Sequence, residues 1–182
     1  MKAKGQFIHN RKIDISTYEG AFDSVIVEGI LQDQRLVETY RPTGDSFPPG
    51  TVHHMIIRME IKGPRLTIED IEVEMPTVPY EACLETLETL HLLKGIPIVA
   101  GFTAKARSLI GGRKGCCHLL SLLTAMAPAA VQGAWSAVIR EPVRQETYLD
   151  MAFKRVKDTC WVWREDGPMI KDWRETAKRR QN

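Results

Sequence analysis

The sequence lacks the features that most directly assign a compartment or a macromolecular partner. No stretch reaches the roughly 20 apolar residues that a membrane helix requires. No apolar segment follows the basic N-terminus Met1–Gln6, as it would in a secretory signal. We therefore expect a cytoplasmic protein without a membrane partner. The formal net charge of +2 is too small to predict a nucleic-acid partner.

The cysteines and glycines do not form the familiar chemical motifs. We expect the four cysteines to be free thiols, because a chain without a secretory signal stays in a reducing compartment. Adjacent Cys116 and Cys117 lack the two-residue gap that is typical of structural zinc sites. The segment Gly111–Gly115 lacks the Lys-Ser or Lys-Thr ending of a phosphate-binding P-loop. A function therefore has to be argued from other patterns.

The first half of the chain predicts strands of an antiparallel sheet. Its composition is ordinary for a folded protein, with 43% hydrophobic and 26% charged residues. The predicted strands are Ser24–Leu31, Arg35–Tyr40, Val52–Ile61 and Leu66–Val73. Gln32–Gln34 is expected to be a polar turn and Arg41–Gly50 a loop. The last two strands are joined by the short connection Lys62–Arg65, which favours an antiparallel pair.

The second half predicts helices. These are Tyr80–Leu93, Ile98–Ile110, Cys116–Ala127 with a continuation over Ala129–Val138, Glu141–Val156 and Met169–Lys178. Trp161–Trp163 is expected to be a short strand or an extended segment. Strands followed by helices are typical of an α+β fold in which helices pack on one face of an antiparallel sheet. We predict one domain over residues 1–182.

The turn Gly111–His118 is the strongest candidate for a functional site. Glycines and two basic residues lead into a helix that is predicted to start near Cys116. Free amides of a helix's first turn carry partial positive charge, which favours both a nearby thiolate and a bound anion. The candidate anion-binding residues are Gly112, Arg113, Lys114 and Gly115. His118 is a candidate metal ligand or general base.

Helical geometry separates the two adjacent cysteines. Successive side chains on a helix point about 100° apart, so the two thiols and His118 are not expected to converge on one ion. Cys116 shares its predicted face with leucines, which indicates a small core residue or a member of a buried site. Cys117 is predicted to face solvent. Cys116 and His118 are thus the candidate catalytic residues.

Two further positions are weaker candidates. His53 and His54 are adjacent on a predicted strand, so at most one of them faces any given site. Cys83 lies on the apolar face of its predicted helix, where a buried thiol is the simpler interpretation. Cys160 is open to either interpretation. The roles of His54, Cys117 and Cys160 are not fixed by the sequence.

Short motifs in a fixed order give the chain a family resemblance. They are His53-x-Met55, Pro79-x-x-x-Cys83, Gly101-Phe102, Gly111-Gly112 and Gly115-Cys116-x-His118-Leu119. Over roughly residues 8–163 the chain resembles a bacterial family of proteins of unknown function, DUF2889, with 164–182 as a C-terminal helix or tail. The family pattern usually has Asp and Thr at the two positions that His54 and Cys117 occupy in this chain. The resemblance implies a fold and a shared set of residues, which are His53, Cys83, Cys116 and His118.

A second resemblance is to iron–sulfur scaffold proteins of the NifU, IscU and SufE type. Those proteins place three cysteines and an Asp or His at the tip of a sheet–helix layer. Here Thr51 stands near the first cysteine position, and His53 stands where the scaffold has its acidic ligand. The resemblance implies a similar layer and a site for a labile cluster.

Two hypotheses about function follow. The first is a metal- or thiol-dependent accessory protein that binds Zn²⁺, Fe²⁺ or a labile iron–sulfur cluster through Cys116, His118, Cys83 and His53, acting with a partner protein. The second is an enzyme or binder for an anionic small molecule, such as a phosphate or acyl thioester. It would use the basic turn to hold the anion and a cysteine as nucleophile.

Overall fold

The computed structural model describes residues 3–140, 153 and 156–181. They fall into two compact units, Met1–Val138 and Ile139–Asn182. The strands are β1 (His9–Glu19), β2 (Ser24–Arg35), β3 (Thr39–Tyr40), β4 (Ser46–Phe47), β5 (Gly50–Lys62) and β6 (Thr67–Thr77). The α-helices are α1 (Phe102–Ile110), α2 (Cys117–Val138) and α3 (Pro168–Gln181), and 3₁₀ helices span Glu81–Leu93 and Gly112–Lys114.

The first unit has the predicted α+β architecture. Four antiparallel strands form one sheet in the order β1-β2-β5-β6, and β3 and β4 form a separate two-stranded hairpin between β2 and β5. Helix α2 packs on the face of the sheet formed by β1, β2 and β5. The confirmed fold class is therefore an N-terminal antiparallel sheet followed by helices.

The core lies between the sheet and α2. Strand residues alternate between buried and partly exposed positions, because successive side chains point to opposite faces. The buried set on β2 and β5 includes Val27, Leu31, Met55, Ile57 and Met59, and that on α2 includes Leu119, Leu122, Leu123 and Met126. The apolar repeat of α2 therefore covers the apolar face of the sheet.

Several predicted boundaries were wrong. Strand β2 continues through the predicted polar turn Gln32–Gln34, because these residues pair with both β1 and β5. Its N-terminal partner β1 was not predicted, since most of its residues are polar and exposed. Arg35–Tyr40 does not return as a neighbouring strand. Its last two residues form β3, which pairs with β4 inside the predicted loop Arg41–Gly50.

The helices differ from the predictions in smaller ways. Glu81–Leu93 is a 3₁₀ helix, in which the hydroxyls of Thr86 and Thr89 bond to carbonyls three residues earlier. Helix α1 starts at Phe102 instead of Ile98, and α2 continues through Pro128 without a break. The segment Trp161–Trp163 lies in turns instead of a strand. The predicted helix Glu141–Val156 falls mostly outside the described residues.

Among the described residues, α2 is long and apolar enough to cross a membrane, with 44% of its most apolar window buried. This is evidence from length and composition alone, and the core helix of a water-soluble protein passes the same test. The packing of α2 on the sheet is that of a core helix.

Close packing of α2 on β1 depends on Gly133. A Cβ atom at this position would lie 2.4 Å from Cγ2 and 2.5 Å from Cβ of Thr17. We predict that Gly133→Ala destabilises the protein, because overpacking costs typically about 1–3 kcal/mol. That exceeds the roughly 1 kcal/mol by which Ala is favoured over Gly inside a helix. The urea midpoint should fall, while Gln132→Ala on the exposed side of α2 should leave it almost unchanged. A higher midpoint for Gly133→Ala would contradict this packing.

Candidate functional site

Polar side chains form a row across one end of the buried sheet face. Arg11 of β1 lies opposite Asp33 of β2, which in turn lies opposite His53 of β5. The register between β2 and β5 shifts just after Asp33, so that Gln34 pairs with Thr51 and Val52 has no opposite residue. Bulges of this kind redirect side chains near functional sites. The row lies on the same sheet face as the apolar core.

Asp33 is the centre of this row. It is only 2% exposed, and both of its carboxylate oxygens accept hydrogen bonds from Arg11. Nε of Arg11 lies 2.6 Å from Oδ1, and the second guanidinium nitrogen lies 2.6 Å from Oδ2. Nδ1 of His53 is 3.0 Å from Oδ2, and Nε2 of His9 is 3.6 Å from Oδ1. A buried carboxylate with this many partners is fixed in position.

His118 joins the row from the first turn of α2. Its Nε2 lies 3.8 Å from Oδ2 of Asp33, and its ring lies against that of His53 with centroids 3.9 Å apart. One ligand atom each from Asp33, His53 and His118 lies within 4.8 Å of the others. Among the described residues, this is the group whose donor atoms could hold a metal ion.

The other nitrogen of His118 faces two thiols. Its Nδ1 lies 3.8 Å from Sγ of Cys116 and 3.6 Å from Sγ of Cys117. Cys116 is partly buried against the core, whereas Cys117 is exposed. The predicted difference in exposure between the two cysteines is therefore confirmed. Their predicted separation is not, because both sulfurs approach the same nitrogen of His118. His118 lies between a carboxylate on one side and two thiols on the other.

Two cavities meet at the histidine pair. The larger, of about 680 Å³, is lined by Val52, His53, Met55, Pro79, Tyr80, Ala82, Cys83, Thr86, Gly115, Cys116, Cys117 and His118. The smaller, of about 410 Å³, is lined by Ile8, His9, Arg11, Asp33, Arg35, Val37, Thr39, Val52, His53 and His118. His53 and His118 are thus accessible from both sides.

The surroundings set the charge of the central residues. Hydrogen bonds from Arg11 hold the pKa of the Asp33 carboxyl below its usual value, despite the opposing effect of burial. Burial lowers the pKa of the His118 imidazole, and the charges of His53 and Arg11 lower it further. These pKa shifts favour the ionised form of Asp33 and the neutral form of His118. These are the forms in which carboxylates and imidazoles bind metal ions.

The structure brings the four predicted ligands to one place. His53, Cys83, Cys116 and His118 all line the larger cavity. The two histidines belong to the three-residue group, together with Asp33. Neither Cys83 nor Cys116 is part of that group.

Most of the basic turn Gly112–Gly115 lies outside the lining of the two cavities. Gly115 lines the larger cavity, but Gly112, Arg113 and Lys114 are not among the residues that line either one. The amino group of Lys114 donates a hydrogen bond to the carbonyl of Ser108, at 2.7 Å.

Sequence reasoning missed Asp33 and Arg11. Asp33 was assigned to a turn because it lies between two glutamines. Asp33 is an even number of residues from Val27 and Leu31, so it lies on the same buried face of the strand. That alternation was the signal that it faces inwards. Arg11 was missed together with the whole of β1. His54 pairs with Gln32 on the opposite face, and Cys160 is exposed in the second unit.

Comparison with known proteins identifies the family. The model of the family described as protein of unknown function (DUF2889) matches residues 9–132. The chain belongs to the DUF2889 family. The match covers every residue of the row, the lining of the larger cavity, all of the lining of the smaller cavity except Ile8, and the first part of α2. It stops short of the predicted limit at residue 163. No curated protein matches the chain, and no solved structure matches it. The resemblance to iron–sulfur scaffold proteins stays a prediction.

We predict that Asp33→Asn destabilises the metal-free protein at neutral pH. Hydrogen bonds to a charged group contribute about 1.5–3 kcal/mol, and the variant loses the charge that Arg11 binds. Since the pKa of Asp33 is lowered by folding, its ionisation stabilises the folded state above the unfolded carboxyl pKa of about 3.9. This contribution is lost as pH falls through the lower pKa of the folded state. The difference in free energy of unfolding between wild type and variant should therefore shrink below about pH 4.

The measurement is urea unfolding at several pH values in the presence of a chelator. Asp45→Asn is the matched control, because Asp45 is an exposed aspartate whose nearest cation, on Arg41, is 4.0 Å away. Exposed pairs contribute little to stability. An equal effect of the two substitutions at pH 7 would show that the Arg11–Asp33 pair is not a stabilising contact.

Proposed function

We propose that this protein binds one divalent transition metal ion, Zn²⁺ or Fe²⁺, through Asp33, His53 and His118, for use on a small molecule in the adjoining cavities. The observation that carries this proposal is the convergence of one ligand atom from each residue to within 4.8 Å. The three residues come from β2, β5 and α2, which are distant in sequence. The histidines among them line both cavities.

The donor set supports these two metals. Two imidazoles and one carboxylate are ligands of mononuclear Fe²⁺ sites and of catalytic Zn²⁺ sites. Three protein ligands leave a coordination position for water or substrate, and a metal there acts as a Lewis acid. Metal–ligand distances are about 2.0–2.2 Å, so the donor atoms need to approach each other further on binding.

Arg11 has a defined place in this proposal. An ionised carboxylate has about four lone-pair sites, of which Arg11 uses one on each oxygen. The remaining sites are sufficient for His53 and a metal ion. Hydrogen bonds to a ligating carboxylate orient it and are part of most metal sites. Arg11 is therefore a positioning residue that acts through Asp33.

The absence of cysteine from the three-residue group leads us to propose a single ion instead of a labile iron–sulfur cluster. Clusters are held mainly by cysteine thiolates, and the three-residue group contains no cysteine. Cys116 lies beside Nδ1 of His118. A metal ion on Nε2 of His118 would leave Nδ1 free to donate its hydrogen to the sulfur of Cys116.

The histidines provide the first test. Protein stripped with a chelator should bind one Zn²⁺ or Fe²⁺ per chain in anaerobic calorimetric titration. We predict that His53→Ala and His118→Ala each weaken binding by about 100-fold or more, because the loss of a group that only hydrogen-bonds a ligand already costs about 10–100-fold. His54→Ala is the matched control, since it removes the neighbouring imidazole from the opposite face of the same strand.

The outcomes are distinct. Unchanged stoichiometry and affinity in His53→Ala and His118→Ala would refute a site at this position. Equal weakening by His54→Ala would indicate non-specific binding to histidines. Circular dichroism and thermal unfolding of each variant separate loss of ligand from loss of fold.

The contacts of His118 favour a second candidate function, a thiol-dependent acyl transfer. The imidazole of His118 lies between a cysteine thiol on its Nδ1 side and the carboxylate of Asp33 on its Nε2 side. Activated nucleophiles have the same spatial order of thiol, base and orienting group. The imidazole would take the proton of the thiol, and the thiolate sulfur would then bond to an acyl carbon. The leaving thiolate of the acyl donor would take the proton from the imidazolium.

Cysteine variants distinguish the two functions. Under the metal proposal, Cys116→Ser and Cys117→Ser should retain one bound ion per chain with affinity within about 10-fold of wild type, because neither thiol is a primary ligand. Under the acyl-transfer alternative, one of these variants should abolish covalent labelling by an acyl thioester, and His118→Ala should slow it. Mass spectrometry of the labelled protein identifies the modified cysteine. Loss of the ion in Cys116→Ser would add that residue to the ligand set.

A further inference from the structure

The two cavities at the histidine pair differ in character. Among the described residues that line the larger one there is no Lys, Arg, Asp or Glu, and Val52, Met55, Pro79 and Ala82 contribute apolar surface. Its volume of about 680 Å³ lies within the roughly 300–1,000 Å³ of small-molecule sites. This cavity is suited to an uncharged, apolar group.

The smaller cavity carries positive charge. Arg11 and Arg35 line it together with His9, and Asp33 is the one acidic residue in its described lining. The guanidinium of Arg35 donates two hydrogen bonds to the carbonyl of Pro48, at 2.9 and 2.7 Å, which hold it in place. Two guanidinium groups against one carboxylate favour an anion, and a metal ion at Asp33 would add to that preference.

The cavities share Val52, His53 and His118 in their linings. A molecule that occupies both therefore has to cross the histidine pair. Its anionic end would lie in the smaller cavity, beside β1 and β2. Its apolar body would lie in the larger cavity, beside the 3₁₀ helix Glu81–Leu93. The bond next to the anionic end would then lie beside His53 and His118.

We infer that the small molecule recognised here is an amphipathic organic anion, with a single anionic oxygen group on an apolar body. A polyanion such as a nucleotide is disfavoured, because the described lining of the larger cavity offers no Lys or Arg to a second charged group. The inference deepens the proposed function by naming its substrate class and rests on it for the role of the bound molecule. Binding itself uses side chains of the protein and can be measured without metal.

The test is calorimetric titration of chelator-treated full-length protein with octanoate, 1-octanol and acetate. Octanoate has both parts, and the other two compounds have one part each. We expect octanoate to bind at least 10-fold more tightly than either. Equal affinity for octanoate and 1-octanol, or no binding of octanoate, would overturn the inference.

Variants assign the two parts to the two cavities. Ala82→Trp places a large side chain in the larger cavity and should abolish binding of both octanoate and 1-octanol. Arg35→Gln and His9→Gln should each weaken octanoate at least 3-fold and leave 1-octanol unchanged. Arg65→Gln, in the β5–β6 turn, is the matched control and should change neither. An equal effect of Arg65→Gln would show that the attraction comes from overall charge and would refute a built anion site.

The same protein preparations separate this inference from the proposed function. Octanoate binding to metal-free protein, together with no bound Zn²⁺ or Fe²⁺, would retain the ligand class and reject the metal. One bound ion without octanoate binding would do the reverse. Tighter octanoate binding in the presence of the ion is expected if both are correct, because the ion adds positive charge beside the smaller cavity.

Discussion

The buried carboxylate of Asp33 lies between the guanidinium of Arg11 and the imidazole of His53, and so joins three neighbouring strands at one end of the sheet. An unpaired charge in this position would be costly, so the partners of Asp33 constrain the register of β1 and β5 on either side of β2. His118 then meets the same carboxylate from α2. The site and the sheet end are therefore one arrangement, and the functional residues also have a structural part.

The apolar packing of α2 and the polar row support each other. Leu119, Leu122 and Leu123 fix the start of the helix over the sheet, and this places His118 against His53. In the turn before α2, the amino group of Lys114 bonds to the carbonyl of Ser108 near the end of α1. A helix start packed on a rigid sheet end holds side chains more precisely than a free loop would.

The site also divides its surroundings into an apolar and a cationic side. The 3₁₀ helix and β5 supply uncharged walls, whereas the first residues of β1 and the last residues of β2 supply the guanidinium groups. His53 and His118 lie at the boundary. A boundary of this kind would orient the proposed ligand by its two ends, and it would give the proposed metal ion or a thiol one defined part of that molecule to act on.

The sequence by itself determined that strands precede helices, which faces are apolar, and that Cys117 is more exposed than Cys116, because these depend on local periodicity and on turn composition. It also supplied His53, Cys83, Cys116 and His118 as candidate residues. Only the tertiary structure decided that Asp33 and Arg11 belong with them. Asp33 looks like a turn residue in a polar segment, and Arg11 lies on a strand whose exposed residues conceal its pattern. The pairing of Asp33 with Arg11 and with His53 depends on strand register between residues about twenty positions apart, which short-range patterns do not encode.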